Sequence, residues 1–208
     1  MLAYCTTIMY PKKGNPFILA SASPRRRDLL DEVGLVFEVI PALVEEVPEQ
    51  GREPAEETVR IALDKALWVA TRQPPGRWVL GADTIVVVDN GILGKPVDEE
   101  DAVRMLKMIS GRKHRVITGW VIVKSPGEVA RTGFVESIVE IRKMDERTIR
   151  AYVKTGEPMD KAGAYAVQGI GAFMVKAVQG SYTNVVGLPL CEVVEALEDV
   201  GASRIFPG

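Results

Sequence analysis

Three consecutive arginines follow a short apolar run near the start of the chain. The run Arg25–Arg27 comes directly after Ser21–Pro24, in which Ser23 is a favourable N-cap and Pro24 suits the first position of a helix. A helix N-terminus already carries about half a positive charge, so added cations are unfavourable there unless an anion offsets them. Helix N-termini and arginine side chains both bind phosphate oxygens. The pattern therefore favours a phosphate site, with a solvated basic turn as the alternative.

Two acidic positions follow apolar runs that we interpret as strands. Asp83 comes after Trp78–Ala82, at what we expect to be the end of a strand, and Glu46 follows a strand predicted over Val36–Ile40. Carboxylates are preferred ligands of Mg²⁺ and Mn²⁺, so this pair is a candidate metal site, and Asp83 could also position a water. Neighbouring side chains of an extended chain point to opposite sides, so we expect Glu46 rather than Glu45 to face the site. A capped turn and a solvated acidic loop are the alternatives.

Two lysines and a glutamine complete the set of candidate site residues. Lys65 lies near the apolar stripe of a helix predicted over Pro54–Gln73, and Lys95 follows a hairpin predicted at Asp89-Asn90-Gly91. Both could contact phosphates, although lysines at such positions often extend into solvent. Gln168 ends a segment rich in small residues, and its amide offers the paired donor and acceptor that recognise the edge of a base. A simple connecting loop is the alternative for this segment.

Composition excludes several other classes of protein. The chain has 208 residues and a formal net charge of −2, which argues against a general nucleic-acid binder. Its single histidine, His114, cannot supply a His-based triad or a zinc site, and a structural role is expected for it. The sequence contains no Walker-type phosphate loop and no apolar run long enough to cross a membrane. Cys5 and Cys191 form no metal-binding pattern, which fits a reducing, cytoplasmic location.

Predicted helices and strands alternate along the chain and are joined by hairpins. Further helices are expected after Asp98, Asp145 and Pro189, and further strands over residues 85–88, 115–124, 129–143, 172–178 and 182–186. This order predicts an α/β protein with a mixed sheet. Residues 1–16 are interpreted as an N-terminal arm and residues 17–208 as one domain.

Taken in order, the motifs resemble those of the Maf family, also called septum formation proteins, which are nucleoside triphosphate pyrophosphatases. The resemblance extends from about Ile18 to Val200 and rests on Leu19–Arg26, Gly81–Thr84, Gly94–Pro96, Ser110–Gly119, Gly156–Gly169 and Gly180–Leu190. It implies a mixed, twisted sheet flanked by helices, as in Maf and ITPase-like folds, with two lobes around a deep active-site cleft.

The resemblance also implies roles for individual residues. Asp83 matches the family's proton acceptor that activates water, with Glu46, Lys65 and Lys95 beside it as catalytic residues. Asp83 and Glu46 are the expected ligands of Mg²⁺ or Mn²⁺, and whether Asp83 acts mainly as base or as ligand stays open. The residues expected to bind substrate are Ser21, Ser23, Arg25, Arg26, Thr84 and Gln168. Of these, Arg25, Thr84 and Gln168 match the positions at which the family determines which base is accepted.

The reaction implied by the resemblance is attack of water at the α-phosphorus of dTTP or UTP, which releases the monophosphate and pyrophosphate. The segment Asp160–Tyr165 together with Gln168 resembles the family branch that acts on these two nucleotides, and modified pyrimidine nucleotides are further candidates. The alternatives are a nucleotide-binding regulatory protein of cell division without hydrolysis, and a phosphomonoesterase. The expected partner is a nucleoside triphosphate, with no nucleic acid and no membrane, and the resemblance suggests a homodimer.

Overall fold

The computed structural model describes residues 16–46, 49, 51–89 and 91–206. These residues form a seven-stranded mixed sheet flanked by helices, which confirms the predicted fold class. The strands are β1 (Phe17–Leu19), β2 (Phe37–Val39), β3 (Trp78–Val88), β4 (Gly91–Leu93), β5 (Lys113–Lys124), β6 (Glu128–Ile141) and β7 (Val175–Gln179). The helices are α1 (Pro24–Glu32), α2 (Pro54–Ala70), α3 (Glu99–Ile109), α4 (Glu146–Val153), α5 (Tyr182–Val186) and α6 (Leu190–Asp199). The predicted N-terminal arm lies outside the described residues, apart from Pro16.

The strand order is β2-β1-β3-β5-β6-β7, and β4 also pairs with β3. Strands β2, β1 and β3 are parallel, whereas β3, β5, β6 and β7 are antiparallel. Because β5 occupies one whole edge of β3, strands β1 and β4 share the other edge. Strand β1 pairs there with Val79 and Leu80, and β4 pairs with Val86–Val88. Among the described residues, no strand pairs with the middle of β3 on this edge.

Strands β1 and β4 both end at the gap in the edge of β3. Strand β1 runs parallel to β3 and β4 runs antiparallel to it, so the carboxyl end of each strand points toward the gap. The turn Ser21–Ser23 and the start of α1 follow β1, and Gly94-Lys95 follows β4. The topology thus brings two loops, distant in the sequence, to the unpaired middle of β3.

Side chains of β3 alternate between two differently covered faces. Ala82 packs against α1 and α6, and farther along the same face Val86 packs against α3 and α4. On the opposite face Val79 packs against α2. Asp83 therefore lies on the α2 face, whereas Thr84 lies between the two apolar clusters of the other face. Two apolar clusters thus cover successive parts of this face of β3, while the division of the chain into two lobes stays a prediction.

Two glycines allow α2 to approach the sheet closely. A Cβ atom added to Gly81 of β3 would lie 2.1 Å from the carbonyl oxygen of Ala62, and one added to Gly119 of β5 would lie 2.5 Å from the backbone of Thr58. Such distances are far below van der Waals contact, so larger residues would push the helix away. The close approach brings Lys65, on α2, next to the middle of β3.

The position of Asp83 within its strand differs from the prediction. Asp83 does not end a strand but lies in the middle of β3, where it pairs with Gly119 of β5. The polar pair Asp83-Thr84 interrupts the apolar pattern of side chains, but the hydrogen-bond ladder with β5 continues through both residues. The change from apolar to polar side chains therefore does not mark the end of the strand.

Two predictions near the end of the chain are also wrong. The segment Ala172–Val178 becomes strand only from Val175, because a 3₁₀ turn occupies Gly169–Met174. Residues Tyr182–Val186 form helix α5 instead of a strand. The Ser181 side chain accepts a hydrogen bond from the Asn184 backbone N–H and caps that helix, which overrides the β-branched composition.

Other local predictions are confirmed. Asp98 and Asp145 cap α3 and α4 by accepting hydrogen bonds from the backbone N–H groups of Asp101 and Thr148, each at 2.8 Å. Val88 pairs with Gly91 across the predicted hairpin, although Asn90 itself lies outside the described residues. In the part of the chain that the structure describes, every helix is too short or too polar to span a bilayer.

Candidate active site

A cavity of about 520 Å³ opens at the gap in the edge of β3. Both faces of the sheet contribute to it, since Asp83 and Thr84 are among its lining residues. All ten predicted site residues line this one cavity: Ser21, Ser23, Arg25, Arg26, Glu46, Lys65, Asp83, Thr84, Lys95 and Gln168. The structure therefore brings the candidates together, while their chemical roles stay predictions.

Lys65 joins the two candidate metal-binding carboxylates. Its ammonium nitrogen lies 2.7 Å from Oδ1 of Asp83 and 2.8 Å from Oε1 of Glu46. Lys65 and Asp83 are both buried, so the alternative of a solvent-exposed Lys65 is wrong. Burial alone would raise the pKa of Glu46, but the charge and hydrogen bond of Lys65, with Lys95 at 3.6 Å, lower it below its ordinary value. Glu46, and not Glu45, lines the cavity.

Arg26 is buried on the other side of β3 and is held by neutral acceptors. Its Nε donates to the carbonyl oxygen of Gly187 at 2.7 Å, and its two terminal nitrogens donate to the hydroxyls of Ser21 and Thr84, each at 3.0 Å. Burial lowers the pKa of Arg26, against the opposing effect of the more distant Asp83 and Glu46. Among the described residues, no carboxylate lies within ion-pair distance of this guanidinium. Its charge is therefore available to an anion in the cavity.

A chain of hydrogen bonds leads from Arg26 into the core. The Thr84 hydroxyl, which accepts from Arg26, lies 2.9 Å from the hydroxyl of Thr118. Thr118 in turn donates to the carbonyl oxygen of Asn184 at 3.1 Å, and the Asn184 side chain donates to Val116 and Ser137. The guanidinium plane is thus fixed by buried polar groups rather than by a counter-ion.

The start of α1 forms the next part of the wall. Ser23 occupies the N-cap position as predicted, but its side chain makes no capping bond, and its backbone N–H instead donates to Ser21 Oγ at 3.2 Å. Arg25 reaches across the cavity and forms an ion pair with Asp160 at 3.1 Å. A phosphate that binds Arg25 would have to compete with this partly exposed pair.

The wall opposite α1 comes from the segment that contains Gln168. Gln168 is exposed at the cavity, and three other residues of this wall, Asp160, Lys161 and Tyr165, have no individual role predicted from the sequence, only their place in a motif. Lys161 donates to a carboxylate oxygen of Asp160 and to the carbonyl oxygen of Glu157, each at 2.6 Å. The signal for these residues was present, since they lie in the motif Asp160–Tyr165, but chain spacing alone does not show that this segment faces α1.

His114 has the structural position expected for it. It is buried, and its Nε2 lies 2.7 Å from the hydroxyl of Tyr165, which lines the cavity. Burial lowers the pKa of His114 to about 4, so the ring is neutral near pH 7. The histidine supports the wall of the cavity and carries no charge toward it.

The chemistry of the donor set fits a hard divalent cation. Within the described ranges, no cluster of three or more His, Cys, Asp or Glu side chains suits a metal. Asp83 and Glu46 nevertheless approach the same point, because both contact the Lys65 ammonium. One or two carboxylates are what Mg²⁺ commonly takes from a protein when nucleotide phosphates and waters supply the remaining ligands. The two residues therefore suit an ion that arrives with a nucleotide.

Comparison with known proteins agrees with the motifs. Residues 16–200 match the family described as Maf-like protein. A dTTP/UTP pyrophosphatase of Syntrophotalea carbinolica is 52% identical over 91% of this chain and 86% of that protein. A dTTP/UTP pyrophosphatase of Geobacter metallireducens is 53% identical over 89% of this chain and 96% of that protein. A solved nucleoside-triphosphatase/dITP/XTP pyrophosphatase from Mycobacterium abscessus gives a TM-score of 0.41 at 18% identity, over 62% of this chain and 76% of that one, a likeness too distant to inform function.

Proposed function

Since the chain belongs to the family of Maf-like proteins, we propose that it hydrolyses dTTP and UTP to the monophosphate and pyrophosphate. One observation carries the proposal beyond the names of the relatives. A single cavity holds, on one side of β3, a buried arginine that pairs with no carboxylate of the described residues and, on the other, an Asp–Lys–Glu cluster. The anionic oxygens of a triphosphate can bind the arginine, while its α-phosphorus faces the Asp–Lys–Glu cluster.

Binding of the phosphates falls to the cations at the start of α1. Arg26 is held in place before substrate arrives, so little reorganisation is needed for its remaining N–H groups to bind a phosphate oxygen. Arg25 and the exposed Lys95 have freer side chains that can follow the charge of the leaving pyrophosphate. Positioning and neutralisation of charge are the main demands of this type of transfer.

Activation of the water falls to Asp83. Lys65 binds Oδ1 of Asp83, which orients the carboxylate and leaves Oδ2 to accept a proton. As the oxygen of water bonds to the α-phosphorus, the bond from that phosphorus to the bridging oxygen breaks. The bonding electron pair leaves with pyrophosphate, and the proton of the water passes to Asp83. The products are a nucleoside monophosphate and pyrophosphate.

Mg²⁺ or Mn²⁺ is the proposed cofactor, held by Asp83 and Glu46. When bound, such an ion supplies positive charge that polarises phosphate oxygens. Lys65 already bridges the two carboxylates, so it keeps them close together before an ion binds.

Recognition of the base falls to Gln168 in this proposal. The edge of uracil or thymine presents an N–H donor beside carbonyl acceptors, and an amide side chain can pair with both. Gln168 is exposed at the cavity wall, where its amide can approach a bound base. Arg25 and Thr84 contribute less directly, because Arg25 pairs with Asp160 and Thr84 with Arg26.

The test is identification of both products with labelled water. Purified protein with Mg²⁺ is incubated with dTTP, UTP, CTP and purine nucleotides in H₂¹⁸O. We expect dTTP and UTP to be preferred, with pyrophosphate released and ¹⁸O found in the monophosphate. Release of inorganic phosphate would indicate a phosphomonoesterase, and binding without products would favour the regulatory protein. The cytoplasmic location, the homodimer and the absence of a nucleic-acid partner stay predictions.

A further inference from the structure

The segment that follows Gln168 is fixed by a carboxylate outside the predicted site. Gln168 is exposed, and the 3₁₀ turn Gly169–Met174 begins directly after it. The turn makes a sharp change of direction, with Gly169 at φ +66°. Where the Gln168 amide lies in the cavity therefore depends on what holds the first residues of this turn.

Glu157 holds these residues through both of its oxygens. Oε1 accepts from the backbone N–H of Ile170 at 2.9 Å, and Oε2 accepts from the backbone N–H of Gly171 at 2.7 Å. Oε2 also accepts from the hydroxyl of Tyr152, on α4, at 2.7 Å. One carboxylate thus ties the backbone two and three residues after Gln168 to the core helix α4.

The glycines of the turn are needed for this contact. A Cβ atom on Gly169 would lie 2.3 Å from Oε1 of Glu157, and one on Gly171 would lie 2.7 Å from the Tyr152 hydroxyl. Side chains at either position would displace the carboxylate or its partner. The motif that contains Glu157 and the glycines after Gln168 therefore work as one unit, although eleven positions separate Glu157 from Gln168.

The charge state of Glu157 supports a lasting contact. Burial alone would raise the pKa of Glu157, but the hydrogen bonds from Tyr152, Gly171 and Ile170 lower it below its ordinary value. The carboxylate therefore stays charged near pH 7, and hydrogen bonds to a charged acceptor are stronger than neutral ones.

We propose that Glu157 is a positioning residue for base selection, which fixes the backbone after Gln168 and so sets where the Gln168 amide meets the base. This inference rests on the proposed function in one respect, namely that Gln168 contacts the base. It assigns Glu157 no contact with substrate, because Glu157 does not line the cavity. Loss of the Glu157 carboxylate should therefore change the discrimination between bases without changing the affinity for phosphate groups.

The decisive variant is Glu157→Gln. An amide can replace only one of the two acceptor oxygens, so either Ile170 or Gly171 loses its partner while side-chain size is kept. Tyr152→Phe is the milder variant, since it removes one donor and leaves both backbone bonds. Glu140→Gln is the matched control, because Glu140 on β6 pairs with Lys176 on β7 and does not line the cavity.

Three readouts separate positioning from a general structural role. They are amide hydrogen exchange at Ile170 and Gly171 by NMR, the ratio of kcat/KM for UTP to that for CTP, and the inhibition constant of pyrophosphate. For Glu157→Gln we expect exchange at one or both amides to rise at least about tenfold and the UTP/CTP ratio to fall about threefold, with the pyrophosphate constant within about 1.5-fold of wild type. Tyr152→Phe should show smaller changes in the same direction, and Glu140→Gln none.

Two results would overturn the inference. An unchanged UTP/CTP ratio despite faster exchange would show that the segment does not set base selection. Equal losses for UTP, CTP and pyrophosphate would show general damage to the fold instead of positioning. Wild-type protein that does not prefer UTP over CTP would contradict the proposed function itself, and the wild-type kinetics identify that case before any variant is compared.

Discussion

The two faces of strand β3 differ in whether their buried charges are paired with opposite charges. On the α2 face, the Lys65 ammonium lies between the carboxylates of Asp83 and Glu46 at 2.7 and 2.8 Å, so each charge has a partner. On the other face, one residue along the strand, Thr84 belongs to a network of neutral groups that holds Arg26. On the first face every charge has a partner of opposite sign, whereas on the second no carboxylate among the described residues pairs with Arg26.

This difference indicates which of the buried cations is free to bind a phosphate of the substrate. Burying a charge without a counter-ion is unfavourable, and the lowered pKa of Arg26 reflects that desolvation. An anionic phosphate would complete the second face, whereas on the first face it would have to compete with two carboxylates for Lys65. We therefore assign phosphate binding mainly to Arg26, and to Lys65 the arrangement of the carboxylates.

The largest expected effect is on the α2 face. Asp83→Asn removes the proton acceptor but keeps the shape of the side chain, so kcat should fall by two or more orders of magnitude. The fold should persist, because the amide can still accept from Lys65. Steady-state kinetics and thermal unfolding check this, with Asp64→Asn as control, since Asp64 pairs with Arg60 on α2 and does not line the cavity. A near-normal rate for Asp83→Asn would remove Asp83 from the mechanism.

The next effect concerns the face of Arg26. Arg26→Lys keeps a positive charge but cannot reach Gly187, Ser21 and Thr84 together, so the cation is no longer fixed. We expect kcat/KM for UTP to fall about thirtyfold, that is by about 2 kcal/mol, and the affinity for pyrophosphate to fall with it. Arg27→Lys is the control, because Arg27 is exposed and pairs with Asp28. Equal behaviour of the two variants would contradict the assignment of phosphate binding to Arg26.

A smaller effect concerns His114, which lies on the same face of the sheet as Thr118 and Thr84. His114 has a pKa of about 4 in the fold, against 6.5 ordinarily, so between these values the unfolded chain binds a proton that the folded protein does not. The free energy of unfolding should therefore fall as pH falls from about 7 to 5, by on the order of 1–2 kcal/mol. Urea unfolding of wild type and His114→Gln at both pH values measures this. An identical pH dependence in the variant would show that His114 does not cause it.

The smallest expected effect is on the cavity wall that contains Gln168. Gln168→Glu replaces the amide donor by an acceptor, which suits the amino group of cytosine better than the carbonyl of uracil. The ratio of kcat/KM for UTP to that for CTP should fall about fivefold, with a smaller change in kcat. Kinetics on both nucleotides check this, and equal losses for the two would argue that Gln168 does not select the base.

Local chemistry predicted much of the fold, while the arrangement of the site depends on long-range pairing. The caps at Asp98 and Asp145 and the choice of Glu46 over Glu45 follow from rules that act over a few residues. Such local rules do not reveal that β1 and β4 share one edge of β3. For this reason the sequence places Asp83 at the end of a strand instead of in its middle. The same limit applies to Lys65, whose burial depends on close packing of α2 on Gly81.

Helix α5 shows how tertiary contacts override local preference. Its sequence, Tyr182–Val186, is typical of a strand, but the buried side chain of Asn184 hydrogen-bonds to Val116 and Ser137. Those partners lie on β5 and β6, and no local pattern reveals them. The role of Glu157 was missed for a related reason, since its partners at Ile170 and Gly171 lie more than ten positions away.

The most direct test of the difference between the two faces is a crystal structure of the protein with the non-hydrolysable α,β-imido analogue of UTP. We predict a phosphate oxygen hydrogen-bonded to Arg26, with the α-phosphorus facing Asp83 and the Lys65 bridge to Asp83 retained. Phosphates that bind Lys65 in place of its carboxylates, while Arg26 contacts none of them, would contradict the account.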